Sequence, residues 1–399
     1  MNVAIHRRAA AFVLDLSSNG LGVVRNLGRE GIPVVGVDFK SQAPGLKSRY
    51  CKPLIAPNPF TEPDGALNLL LREGNRFSEK GILYPTSDEY VLFVSRFRAQ
   101  LKRNFLFAMP SEEIVESILD KRRQYELAKE IGIPCPETHY PESEHDVREI
   151  KNKLEYPVFI KPYCSHIWRE TFMNKGFKVS TASELVHRYR AIFGAKLQAM
   201  IQSIVTGPDS NIVEVYGYLS RDHKPLAVLV CRKLRQYPNH FGVSTCSESI
   251  HDEDATKTAL EFYQGIKYQG IGHIELKKDD RDGKYKLLEL NARTPPHNTL
   301  PTRAGINFPL IQYMELTNQV IEQIKDYRDG VKWLDAALDC LSFYELNRNR
   351  SLSLWDWLES VRQVDCHAYY ARDDWSPFLK EYLTKFARLP RYMLGYRGR

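Results

Sequence analysis

The segment 272–293, GHIELKKDDRDGKYKLLELNAR, has little choice but to fold as a β-hairpin. Ile274–Lys277 and Lys284–Asn291 are strand-like runs, and DDRDG between them is turn chemistry. A three-residue loop of Arg281, Asp282 and Gly283 suits a type I turn closed by a left-handed glycine. That loop pairs Asp280 with Lys284 and so sets Glu275 opposite Glu289. Side chains alternate along a strand, so Asn291 and Arg293 share the face of Glu289. Carboxylates facing each other across a ladder repel. A hard divalent cation relieves this, and Mg2+ is commonly held by one or two carboxylates together with substrate phosphates. Asn291 can add an amide oxygen, and Arg293 a charged fork for a phosphoryl or carboxylate group. The alternative at this stage is a solvated hairpin face that happens to carry Glu, Asn and Arg.

Size and composition set the frame for that hairpin. A chain of 399 residues holds two or three packed domains, and 43% hydrophobic with 26% charged residues is ordinary for a soluble globular protein. No apolar run reaches membrane-spanning length. Arg7-Arg8 and the following AAAFVLDL look superficially like a leader, but Asp15 interrupts the run, so it reads as a first strand. Seven cysteines without a C-x-x-C pair indicate reduced thiols and a cytoplasmic protein. The eleven histidines show no H-E-x-x-H or comparable metal spacing. A net charge of +7 fits anionic ligands such as nucleotides and is too diffuse to mark a nucleic-acid surface.

The order of elements divides the chain. Ala10–Leu16, the helix LGVVRNLGREG and Ile32–Asp38 form a strand–helix–strand unit of a parallel sheet. Gly81–Tyr84 leads into PTSDE, where Thr86 or Ser87 can cap a helix, and Phe105–Met109 is a further strand. Residues 1–112 thus read as a Rossmann-like open-sheet domain. Ser111 starts one helix and Asp120 caps the next, KRRQYELAKEI, which Gly132 ends. Beyond it the pattern turns to hairpins: Pro157–Lys161, Leu197–Ile201, Ile212–Leu219 with Leu226–Leu234, and the hairpin above. Residues 113–320 read as an α+β domain, and 321–399 as a helical extension. Its last helix, from Ser376-Pro377, carries a stripe of Phe378, Leu379, Tyr382, Leu383 and Phe386. That stripe is expected to dock on the protein, with peripheral contact to a membrane as the alternative.

Three features precede the hairpin. Asp120-Lys121 opens a helix whose amides and lysine would suit a phosphate. Lys161 ends the strand YPVFIKP, either as an edge device or as an anion hook. Gln202, Ser203, Ile204 and Val205 form a segment whose backbone could pair with an adenine edge. In order these are D-K, P-V-x-I-K-P, Q-x-x-V-x-G and E-x-N-x-R, and the series resembles the ATP-grasp superfamily over roughly residues 10–320. SNGLGVVRNLGREGIPV, SRYC, YPTSDE and RKLRQYP-x-x-x-G are similar to its carboxylate–amine ligase branch, which includes D-aspartate ligase.

The resemblance implies an ATP-grasp architecture and ATP and Mg2+ as cofactors. Lys121 and Lys161 would hold phosphates, Gln202–Val205 would form the adenine hinge, and Glu275, Glu289 and Asn291 would bind Mg2+. Arg293 would stabilise the transferred phosphoryl group or an acyl phosphate, and Lys233 and Arg235 are candidates for the same role or form a solvated basic strand end. The superfamily's glycine-rich flap is absent here. YCSHIWRETFMNK, residues 163–175, has no glycine before Gly176, so a longer lid using Ser165, His166, Arg169 or Lys175 is expected, with Trp168 either packing to anchor it or packing on a substrate. A second substrate should sit at strand ends near Asn19, Gly20, Arg49, Thr86, Ser87 and Asp88, unless these only cap and turn the chain. The implied reaction activates a small-molecule carboxylate with ATP and passes the acyl group to an amine, and a homodimer is the assembly common among such ligases.

Other readings compete with this one. A small-molecule kinase or an ATP-binding scaffold would use the same nucleotide site. An NAD-linked oxidoreductase would use Gly20-x-Gly22 after a strand and Asp38 at the end of the next, but Arg25 stands where the fingerprint needs its third glycine.

Overall fold

The computed structural model describes residues 9–163 and 165–386, without the side chains of 165–167, 169 and 384–386. The lid candidates Ser165, His166 and Arg169, and Phe386 of the last helix, therefore have side chains outside the described set. Three sheets organise these residues.

The first sheet is parallel, in the order β3-β2-β1-β4-β5. Its strands are β1 (Ala11–Leu14), β2 (Val34–Asp38), β3 (Lys52–Ile55), β4 (Gly81–Pro85) and β5 (Phe105–Leu106). β1 and β2 are buried at every residue, as an apolar run without alternation requires when helices cover both faces. The second sheet contains β6 (Thr138–His139), β7 (Val158–Pro162), β8 (Phe177–Val179) and β9 (Ala199–Ser203), in the antiparallel order β6-β9-β7-β8. β7 alternates: Val158 and Ile160 face a core with Trp168 and Tyr189, which leaves Lys161 for the opposite face. Trp168 packs beside Phe172 and Phe177 and donates to Asn174 Oδ1 at 2.8 Å, as expected of an anchor. The segment expected as a lid contains the helix Ser165–Phe172.

The third sheet has seven strands, in the order β14-β13-β10-β11-β12-β15-β16. They are β10 (Ile212–Leu219), β11 (Pro225–Tyr237), β12 (Val243–Ile250), β13 (Gly270–Lys278), β14 (Tyr285–Asn291), β15 (Lys332–Leu334) and β16 (Cys366–His367). Residues after 320 are largely helical, in Ala336–Arg348, Leu354–Arg362 and Ser376–Phe386. They also add β15 and β16 to this sheet, two short strands not anticipated from sequence. On the last helix Phe378 and Tyr382 pack on the core while Leu379 and Leu383 stay exposed. Among the described residues no helix is long and apolar enough to cross a membrane.

The hairpin closes differently from expectation and arrives at the same pairing. Asp279 N donates to Lys284 O, leaving a four-residue loop, Asp280–Gly283, with Gly283 at φ 67°. The register is then one step off until a bulge between Glu275 and Leu276 leaves Leu288 without a partner residue and sets Glu275 opposite Glu289.

Candidate active site

The second and third sheets enclose a cleft of about 340 Å³, within the range of small-ligand sites. One end is apolar: Phe159, Ile204, Val205, Ile212 and Leu288 line it, with Phe241 stacked on Phe159 at 4.3 Å. Gln202 and Ser203 border this end. Gln202 Nε2 reaches Thr138 Oγ1 at 3.1 Å and Ser203 N is bonded to Glu137 O at 2.9 Å. Ile204 and Val205 follow directly after β9, where the chain leaves the sheet.

The other end is charged, and Lys121, Lys161, Lys233, Glu275, Glu289 and Arg293 each have a partner. Asp120 caps the helix Lys121–Ile131 through Arg122 N and Arg123 N, and Lys121 N donates to Tyr163 O. The amides expected to greet a phosphate are thus engaged, and it is the Lys121 side chain that enters the cleft, 2.8 Å from Glu289 Oε1. Across the ladder Glu275 Oε2 lies 2.8 Å from Lys233 Nζ. The two facing glutamates therefore have separate lysines, which relieve the repulsion inferred from the sequence. Lys161 Nζ donates to Leu288 O at 2.8 Å and Tyr125 Oη at 2.9 Å. The bulge is what leaves that carbonyl available. Lys175 also lines the cleft.

Burial shapes the electrostatics of this end. It opposes the Glu289 carboxylate, but the ammonium groups of Lys121 and Lys161 outweigh it and hold Glu289 below the usual carboxylate range. Burial lowers the Lys161 ammonium against the pull of Glu289 and Glu275. It also opposes the Lys233 charge, where Glu275 and Glu214 prevail and raise it. Arg293 extends past the end of β14. Its Nε donates to Asp88 Oδ1 at 2.6 Å and one terminal nitrogen donates to Asn291 Oδ1 at 3.2 Å. Burial opposes that charge too, and Asp88 keeps the guanidinium cationic. Glu275, Glu289 and Asn291 line one cavity and offer only hard oxygen ligands, a set that suits Mg2+.

Several sequence candidates lie elsewhere. Arg235 is a correction. Its Nε and one terminal nitrogen bind Asp339 at 2.8 and 2.9 Å, and the other binds Ser360 Oγ at 2.9 Å. The cause is a bulge: Lys233 pairs with Ser247 but Arg235 with Cys246, so the two do not share a face as strict alternation requires. Asn19 is buried against Thr294 and Asn298, and Thr86 Oγ1 donates to the carbonyls of Leu14 and Asp15. Ser87 caps the helix Asp88–Arg96, and Arg49 is exposed, its amide bound to Asp374. A Cβ on Gly20 would lie 1.8 Å from Asp15 O, and one on Gly22 would lie 2.3 Å from Asn298 Oδ1. The glycine pair thus makes room for the protein's own chain, and Asp38 is occupied by the amides of Leu16 and Lys40, which removes the basis of the dinucleotide reading.

Sequence reasoning missed Glu214, His273 and His297, which also line the cleft. Glu214 stands opposite Glu275 on β10, and His273 opposite Asn291, so cross-strand pairing could have found these two. His297 comes from the loop after β14, and no spacing marks it.

Two sheets closing on a cleft that is apolar at one end and lined by lysines, glutamates and an arginine at the other define an ATP-grasp fold. The family match that accompanies this fold spans just under half of the chain. Residues 120–314 match the family described as the carbamoyl-phosphate synthase L chain, ATP binding domain. The chain is 26% identical to a D-aspartate ligase of Enterococcus faecium (strain Aus0004), over 66% of each protein, so it spans just under two thirds of that relative's length. Its fold is that of an L-amino acid ligase from Bacillus licheniformis, with a TM-score of 0.60 at 15% identity over 79% of this chain and 75% of that one. It is also that of an N5-carboxyaminoimidazole ribonucleotide synthetase in complex with ADP. There the TM-score is 0.64 at 12% identity, over 82% of each chain.

Proposed function

We propose that this chain is an ATP-dependent carboxylate–amine ligase: a carboxylate attacks the γ-phosphate of ATP and expels ADP, and an amine displaces phosphate from the resulting acyl phosphate to leave an amide. The observation that carries this reading is the pair of lysine–glutamate bridges on the cleft floor, Lys121–Glu289 and Lys233–Glu275. They hold opposite charges ready to exchange partners, which is what binding a polyphosphate with its cation requires. Mg2+ held by Glu275, Glu289 and Asn291 would supply charge neutralisation between the phosphates. Lys121, Lys161 and Lys175 would then bind phosphate oxygens, and the Gln202–Val205 segment would take the adenine at the apolar end. Arg293, fixed by Asp88, faces the charge that develops on the transferred phosphoryl group. Phosphoryl transfer needs positioning and charge neutralisation more than a covalent nucleophile, so no cysteine or serine is required.

The likeness to D-aspartate ligase and L-amino acid ligase supports an amino acid as one substrate. Both partners of the reaction are then small molecules, and a cytoplasmic setting, where ATP is abundant, follows from the same reading. The test is hydroxamate formation from Mg-ATP, hydroxylamine and a pool of amino and hydroxy acids, read by mass spectrometry. Hydroxylamine stands in for the amine and traps the acyl phosphate. A hydroxamate that requires ATP and disappears in Glu289→Gln is expected. A stable phosphoester in place of any hydroxamate would make the chain a kinase.

A further inference from the structure

Beside the facing glutamates, on the same cleft, lies a second cluster to which the proposed nucleotide site assigns no role. Glu214, His273 and His297 come from β10, β13 and the loop after β14. One donor atom of each lies within 4.8 Å of the others, and all three side chains are buried. His297 Nε2 is 2.9 Å from Glu214 Oε2, and His273 Nε2 is 3.5 Å from Glu214 Oε1. Neither contact is aligned as a hydrogen bond. Both ring nitrogens of His297, and Nε2 of His273, are left without a hydrogen-bonding partner. These imidazoles are 2% and 5% exposed, so the shortfall is costly in a buried site.

The charges nearby show what would satisfy them. Lys233 is 3.9 Å from Glu214 and 2.8 Å from Glu275, so the two carboxylates share its charge. Glu214 otherwise receives the Ser244 hydroxyl at 3.0 Å and the Cys231 thiol at 3.8 Å. Glu214 is 3% exposed, and the unpartnered groups that face it are imidazole nitrogens rather than oxygens. Two imidazoles and one carboxylate form the three-ligand set that binds zinc while leaving a fourth position open. The rings of Tyr216 and Trp333 wall the cluster on its other side.

We infer that Glu214, His273 and His297 form a binding site for a divalent transition ion of zinc's class, distinct from the oxygen-only Glu275, Glu289 and Asn291 set. Its open position faces the cleft, where the ion would accept an amine nitrogen or a carboxylate of a small ligand. Nitrogen donors select zinc over magnesium here, since Mg2+ prefers carboxylate, carbonyl and water ligands.

The test uses the full-length chain without a histidine tag, stripped with a chelator, loaded with ZnCl2 and freed of excess by gel filtration. Elemental analysis should find one zinc per chain in the wild type and in Glu289→Gln. It should find none in His273→Gln or His297→Gln, whose affinity should fall by more than the ~10–100-fold lost when only a ligand's supporting partner is removed. Circular dichroism melting of the apo proteins checks that the variants fold. Zinc-edge X-ray absorption of the wild type needs no variant and should show two imidazoles in the coordination shell. Wild-type protein that retains no zinc, zinc retained by both histidine variants, or a spectrum without imidazole overturns the inference. None of these readouts depends on ligase turnover.

Discussion

Asp88→Asn isolates the part that orientation plays at Arg293. Asp88 Oδ1 accepts from Arg293 Nε at 2.6 Å and Oδ2 from a terminal nitrogen at 3.3 Å. One bond is strong and the other long. Hydrogen bonds between charged groups contribute roughly 1.5–3 kcal/mol, and Asp88 is 45% exposed where Arg293 is 19%, so solvent screening argues for the lower end. About 1.5 kcal/mol in the transition state is about tenfold in rate. The expected result is therefore a kcat about tenfold lower with KM for ATP nearly unchanged, because nothing at the adenine end is touched. Arg293→Met should cost more, in the ~10²–10³ range typical of a lost transition-state donor. If Asp88 acts only through Arg293, adding Asp88→Asn to Arg293→Met should change little, since coupled residues are not additive. Initial rates of phosphate release across an ATP series give all three numbers. A kcat within twofold of wild type for Asp88→Asn, or an effect confined to KM, would refute the argument.

Other parts of the structure make separate demands. Asp339→Ala leaves Arg235, 7% exposed, without its bidentate partner, and should destabilise the fold by about 3–5 kcal/mol in urea unfolding. An unchanged midpoint would return Arg235 to the solvated role that sequence alone allowed. Lys161→Met should weaken ATP binding by roughly tenfold or more, the scale of one charge-assisted contact of ~1.5 kcal/mol, measured by calorimetry; unchanged affinity would make Lys161 a support for Leu288 and Tyr125 only. The pH dependence follows from Glu289, whose folded pKa is depressed below the unfolded value of 4.5. Its stabilisation is present above that value and is lost as pH falls through the folded pKa. Wild type should therefore melt above Glu289→Gln at neutral pH, and the gap should close in acid below about pH 4.5. A gap independent of pH would contradict the Lys121–Glu289 pairing.

How much of this could be read from the sequence depended on whether a signal was local. Buried parallel strands, the caps at Ser87, Ser111 and Asp120, and the left-handed glycines 132 and 283 are local chemistry, and the structure places them where that chemistry predicts. The Glu275–Glu289 pairing was legible for a partly mistaken reason. The loop is one residue longer than expected and a bulge removes the offset. Arg235 was misread because a bulge is silent in an alternating pattern. β15 and β16 are too short for periodicity to register, and they exist because the edge of β12 pairs with β15. Of the Glu214–His273–His297 cluster, the first two were within reach of cross-strand pairing, and His297 was not, because it lies in a loop outside any register.

The bulge at Leu288 joins these observations to the chemistry. A regular hairpin with the observed loop would set Glu275 opposite Leu288 and turn Glu289 to the other face. The extra residue corrects the face, and the same irregularity presents the Leu288 carbonyl to Lys161 and Tyr125 at 2.8 and 2.6 Å. A lysine whose charge is opposed by burial is thus parked on a neutral acceptor rather than on a glutamate. Its release to a phosphate costs one hydrogen bond to a carbonyl and one to a phenol, whereas Lys121 must give up an ion pair. The two lysines should therefore engage a nucleotide with different salt and metal dependence. Lys161 can respond to phosphate alone, and Lys121 only once a cation has taken Glu289. ADP affinity measured with and without Mg2+ in Lys121→Met and Lys161→Met separates them. The Lys161 variant should lose affinity in both conditions, and the Lys121 variant chiefly when Mg2+ is present; equal losses under both conditions in both variants would break the proposed exchange.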